Sequence, residues 1–261
     1  MSTAASGNRR PSVPIASAVW PVLLLLAVAT GCWAVTVARM EGMDTGPGTD
    51  LGGLGWFSVV WVTMMAAMML PSLSPMAVAS TRAVGRGRAR STVGALPFAG
   101  GYLLVWAGFG VLAYALVEGV RALELDPLHW DRAGRYVAGG VIVAAALYEL
   151  SAPKRSCLRR CRDSRLLRRR PGGTGALLMG VEQGGFCVGC SGALMVALFA
   201  LGVMSIAWML VIAALIAFEK LLPWAPVAVG TTAVALALLG VAVMVAPDRV
   251  PWLTVPMSLS M

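Results

Sequence analysis

Sulfur is the element with which this sequence could do chemistry. The chain carries 15 methionines and five cysteines, soft donors by type, and most of the cysteines lie in short patterned clusters. The first cluster is Trp61-Val-Thr-Met64-Met65-Ala-Ala-Met68-Met69-Leu-Pro71. On a helix its four methionines fall within an arc of about 140°, and Met76 returns to the same arc. Thioethers on one face suit a soft ion such as Cu(I), although methionine also packs irregular cores. Pro71 and Pro75 each remove a helix hydrogen bond and predict a kink beside this face.

The second cluster is Gly184-Gly185-Phe-Cys187-Val-Gly-Cys190-Ser191-Gly192, with Met179 and Met195 on either side. Cysteines three apart share a helix face. Their spacing suits metal chelation or thiol–disulfide exchange, or two small residues at a helix contact. The third runs from Lys154 to Arg162 and holds Cys157 and Cys161 among Arg155, Arg159 and Arg160. Cysteines four apart again share one side of a helix, in a cationic setting that suits anionic thiolate ligands. A lipid-modified or inert juxtamembrane pair fits the same pattern. The candidate metal ligands are therefore Cys187, Cys190, Met64, Met65, Met68, Met69, Cys157, Cys161 and Met195. Cys32 stands alone and reads as core.

The elements that must position these groups are membrane helices. Of 261 residues, 58% are hydrophobic and 13% charged, and the mean hydropathy is +0.79. A soluble domain could not hide that much apolar surface. Seven apolar stretches occupy residues 18–38, 54–79, 96–117, 135–150, 174–202, 204–219 and 225–246. A crossing needs about 20 residues and must be helical, because lipid offers the backbone no partners. The expected fold is an all-α polytopic transmembrane helix bundle with seven spans, or six if 204–219 does not cross. It forms one domain, 18–246, between tails at 1–17 and 247–261.

The formal charge is +9, and its distribution sets the orientation. Sixteen of the 21 Lys and Arg fall in segments 1–17, 80–95, 151–173 and 220–224, whereas eight acids, from Glu41 to Asp248, fall in the alternate segments. Basic loops stay in the cytoplasm. This places the N-terminus inside, the C-terminus outside, and the chain in the inner (plasma) membrane as a multi-pass protein. The basic surplus then reads as attraction to the lipid bilayer rather than to nucleic acid. The apolar run Val19–Val37 after Arg9 and Arg10 is too long for a cleaved signal and is expected to stay as an anchor.

Nucleotide-binding, nucleophile-elbow and zinc-protease motifs are absent, and the single histidine is His129. No enzyme activity is expected from that inventory. Counted along their spans, Met64–Met69 and Cys187–Cys190 each lie about 14–23 Å from their starting faces. They could face one another as one intramembrane soft-metal site, with Cys157 and Cys161 as a cytoplasmic relay. Glu149 and Glu219 read as solvated near the cytoplasmic interface or paired with Lys154 and Lys220. Glu182 and Gln183, a turn ahead of Cys187, are ionisable and polar groups inside a span, where such groups mark function.

These motifs resemble a bacterial domain-of-unknown-function family of predicted metal-binding integral membrane proteins, some described as copper chaperones. Trp61 to Pro71 resembles the family's tryptophan-to-AMM-P segment. Lys154 to Arg162 resembles its lysine-x-x-Cys-Leu-x-x-Cys-Arg segment, and Cys187 to Met195 its Gly-rich Cys-x-Gly-Cys-Cys-Trp-x-Leu-Met segment. Glu219-Lys220 resembles a further pair. Ser191 and Gly192 depart from the pattern, standing where the family has a cysteine and a tryptophan, and one expected thiol is lost. The resemblance implies metal binding.

Three functions remain open at this level. The chain could bind copper as Cu(I) and act in its delivery or transport, with a membrane or copper-handling protein as partner. It could be a non-catalytic subunit or scaffold of a membrane complex. It could be a membrane thiol–disulfide oxidoreductase using Cys187 and Cys190, although such enzymes usually pass oxidising equivalents through an outer cysteine pair and the outer loops hold no cysteine.

Overall fold

A computed structural model describes residues 15–40, 52–84, 88–122, 134–164, 170–202, 205–222, 224–247 and 250. The residues 1–14 of the N-terminal tail, the acidic loop 41–51, His129 and the tail beyond 250 lie outside the described residues. Among the described residues the fold is all-helical, without strands. Its elements are α1 Ile15–Met40, α2 Leu54–Val84, α3 Arg88–Ala122, α4 Arg135–Glu149, α5 Ala152–Arg162, α6 Gly172–Leu201, α7 Ile206–Leu221 and α8 Ala225–Val245. Each apolar stretch of the sequence is thus one helix.

α5 gives the basic segment 151–173 a helix of its own, which carries Cys157 and Cys161 as their spacing suggests. Ser151 adopts an extended conformation and its hydroxyl oxygen accepts the Lys154 backbone N–H (3.3 Å), with Pro153 in the first turn. This is a helix start signal. Arg159, Arg160 and Arg162 then complement the carbonyl end. The axis turns by 66° between α4 and α5. α2 is one helix through Pro71 and Pro75. The Ser72 and Ser80 hydroxyls donate to the carbonyls of Met69 and Ala77 (2.9 and 2.8 Å) along this stretch.

Five helices are long and apolar enough to cross a membrane: Val19–Met40, Leu54–Ser80, Gly94–Val120, Gly172–Leu201 and Ala225–Val245. The bent pair α4–α5 would make a sixth. The seventh crossing of the sequence reading rests on α7, whose 16 residues rise only about 24 Å. Large apolar side chains face outward, with Leu104, Leu116 and Leu238 more than 60% exposed. That surface suits lipid rather than water.

Two glycine seams set the helix directions. A β-carbon at Gly101 would strike the Leu177 carbonyl, one at Gly180 the Phe98 carbonyl, and one at Gly184 would meet Tyr102 and Val105. Contacts that advance together along both chains make α3 and α6 parallel, with backbones touching as small residues allow. On the other side, Gly139 meets Gly240 and Met244, while Gly240 meets Gly139 and Val143, so α4 and α8 run in opposite directions. At one end of α2, Phe57, Trp61, Trp106, Phe109 and Phe199 form a chain of ring contacts at 5.2–6.2 Å. The Trp61 indole N–H donates to the Trp106 carbonyl (2.8 Å).

Candidate metal centre

The parallel seam and the α4–α5 bend together build the site. α6 presents Cys187 and Cys190 from one face, and α5 lies against it, held in part by the Arg160 guanidinium 4.9 Å above the Phe186 ring. α5 delivers Cys161 to the α6 pair. The sulfurs of Cys161, Cys187 and Cys190 lie within 4.8 Å of one another, and all three residues are buried. The Cys190 thiol donates to the Cys161 sulfur at 3.5 Å. All are free thiols.

Each neighbour of the cluster is held by the fold. The Tyr102 hydroxyl of α3 lies 2.9 Å from the Cys187 sulfur, placed there by the close α3–α6 approach. Lys220, at the end of α7, donates to the same sulfur at 3.0 Å and lies 3.9 Å from the Met69 sulfur. The Tyr148 hydroxyl of α4 donates to the Gly189 carbonyl between the two α6 cysteines (2.7 Å), and the Gln183 amide donates to the Cys161 carbonyl (3.4 Å). Ser191, where the resembled motif has a cysteine, keeps its hydroxyl 3.4 Å from the Cys190 sulfur. The third thiol of the cluster therefore comes from α5.

The candidate ligands named by sequence divide as follows. Cys161, Cys187 and Cys190 meet. Cys157 does not join them: it is half-buried, and its sulfur sits where a β-carbon on Gly189 would be, 2.6 Å from that position. Met69 reaches the edge of the cluster, with Lys220 between it and Cys187. Met64, Met65, Met68 and Met195 are buried in the common hydrophobic core. Tyr102, Tyr148 and Lys220 were not among the candidates. A lysine next to Glu219 at the end of an apolar stretch is the one sequence signal that could have pointed to Lys220.

Of the two readings of the acids, pairing holds for Lys154 and solvation does not. Glu149 and Glu219 are not solvated; they are 0% and 1% exposed, and both pair with Lys154, itself 0% exposed. Lys220 serves the thiol instead. Lys154, Glu149 and Glu219 thus lock α5 to the ends of α4 and α7, and Arg162 adds bonds to the Glu219 and Leu222 carbonyls.

Fold and cluster together define a helical membrane protein with a three-cysteine candidate metal centre enclosed in its bundle. Residues 58–243 match the model of the PpoB2 family, described as copper chaperone, and the chain belongs to that family. No curated protein and no solved structure matches it.

Proposed function

We propose that this protein binds Cu(I) through Cys161, Cys187 and Cys190 within the plasma membrane and passes it on, as a delivery factor or transporter rather than an enzyme. The convergence of three buried sulfurs from two helices carries the reading. Thiolates select soft ions, and three of them with no histidine or carboxylate in the group suit Cu(I) better than zinc, which takes four ligands in structural sites. Lys220 supplies positive charge beside the thiolates, and Met69 offers a further soft donor behind it. The recipient would be a copper-handling protein.

We read the chain as seven spans with the N-terminus in the cytoplasm. The glycine seams support this count. With α6 parallel to α3 and α8 antiparallel to α4, helix directions alternate correctly only if α7 returns across the membrane. The short α4 and α7 then end inside the cytoplasmic leaflet, which puts the thiols at that depth.

One observation bears on the redox alternative: the Cys190 thiol donates to the Cys161 sulfur at 3.5 Å, so the C-x-x-C pair is not isolated from the third thiol. Oxidation of any two of these thiols to a disulfide would remove two ligands from the centre. The scaffold alternative predicts that the thiols are dispensable. X-ray absorption on anaerobically Cu(I)-loaded protein separates the readings. The proposal expects a first shell of sulfur only, at three-coordinate distances. A nitrogen and oxygen shell, or copper no different from a cysteine-free variant, would contradict it.

A further inference from the structure

Beside the thiols lies a second polar cluster that metal binding does not use. Lys154 donates to Glu219 Oε2 at 2.8 Å and pairs with Glu149 Oε2. None of the three side chains is more than 2% exposed. One ammonium thus faces two carboxyl groups in the interior of a membrane bundle. Glu149 Oε1 and Glu219 Oε1 are buried with no hydrogen-bond partner.

Charge accounting makes this arrangement incomplete. Two carboxylates and one ammonium leave a net negative charge without solvent, the costliest state for buried ions. Among the described residues, none of the neighbouring groups shows an ion pair that cancels it. On α4, Tyr148 donates to the Gly189 carbonyl. On α5, Arg162 is half-buried and bonds backbone carbonyls, and Cys157 and Cys161 belong to the thiol region. On α6, Gln183 donates to the Cys161 carbonyl. On α7, Lys220 points to Cys187. α8, packed on α4, contains no titratable residue.

We propose that Glu149, Lys154 and Glu219 form an intramembrane proton-binding site that holds one proton on its carboxyl pair at neutral pH. A proton turns one orphaned oxygen into a donor and brings the cluster to neutrality. Only a proton is gained or lost, taken from and returned to water. The inference does not depend on the metal reading, since a protein that binds no copper would keep this cluster.

Infrared spectroscopy of the full-length protein in lipid tests it, comparing wild type with Glu149→Gln and Glu219→Gln. Ordinary carboxylates are ionised throughout the range from about pH 6 to about pH 8. The expected result is a protonated-carboxyl C=O band in wild type over that range, shifted in D₂O, and lost from both variants, each of which leaves a neutral acid–lysine pair. Circular dichroism and, separately, Cys161 alkylation kinetics report whether each variant keeps its fold. A wild type without the band overturns the proposal, as does a band that folded Gln variants retain. Disappearance of the wild-type band at constant pH on adding sodium would also overturn it, because the site would then hold a metal cation.

Discussion

Replacing Lys154 with methionine strands two carboxyl groups in the bundle. Among the described residues, Lys154 is the one cation that pairs with Glu149 and Glu219, and it bridges three helices. Removing one partner of a buried pair typically costs about 3–5 kcal/mol. At ~1.4 kcal/mol per tenfold, the folded-to-unfolded ratio falls by roughly two to nearly four orders of magnitude. The assay is reversible denaturant unfolding of purified protein in mixed micelles, followed by circular dichroism. Acidification, which protonates the stranded carboxyls, is expected to return part of the loss. The triple variant Lys154→Met/Glu149→Met/Glu219→Met removes the charges together and is expected to recover most of it, because apolar residues of similar volume replace buried ions at little cost. If Lys154→Met loses less than about 1 kcal/mol, the ionic cluster is not an interior one and the reasoning fails. A triple variant no better than the single one would refute the charge argument specifically.

Other consequences are equally direct. Gly180→Leu forces a side chain into the Phe98 carbonyl and is expected to cost at least the ~1–3 kcal/mol of an overpacked core, read as a lowered Tm. Tyr102→Phe removes the hydroxyl beside Cys187; copper stoichiometry is expected to hold while affinity drops about 10–100-fold, as for other groups behind a ligand, measured by competition with a Cu(I) chelator. Trp61→Phe removes the indole bond to the Trp106 carbonyl, which keeps its partner within α3, and is expected to cost about 0.5–1.5 kcal/mol, the net worth of one hydrogen bond, again read by unfolding. Reporter fusions at the two termini are expected to report opposite sides of the membrane, whereas termini on one side would remove α7 from the spans.

The helices were legible because lipid burial demands continuous apolar stretches. The last stretch, 225–246, is α8 Ala225–Val245 almost residue for residue. α5 showed only in its cysteine spacing, because its arginines outweigh its few apolar residues and hide it among the basic loops. Yet Ser151 and Pro153 carried a start signal. The C-x-x-C spacing correctly placed Cys187 and Cys190 on one face, but no spacing within a segment could show which remote thiol would join them. The bend after α4 decides that, seating Cys161 on the pair and leaving Cys157 over Gly189. Which of Lys154 and Lys220 pairs with the acids was left open by their spacing. Neighbours on a helix point about 100° apart, so Glu219 turns to Lys154 and Lys220 to Cys187. Helix–helix neighbours, unlike helices, are set by glycine seams whose pairing is not written in any one segment.

The most direct test of the three-thiol centre is the copper content of detergent-purified protein after anaerobic Cu(I) loading, compared across wild type, Cys161→Ser, Cys157→Ser and the Cys187→Ser/Cys190→Ser double variant. The account predicts near-stoichiometric copper in wild type and Cys157→Ser, with copper lost or far more weakly held in Cys161→Ser and in the double variant. Full copper retained by Cys161→Ser, or copper lost from Cys157→Ser instead, would contradict it.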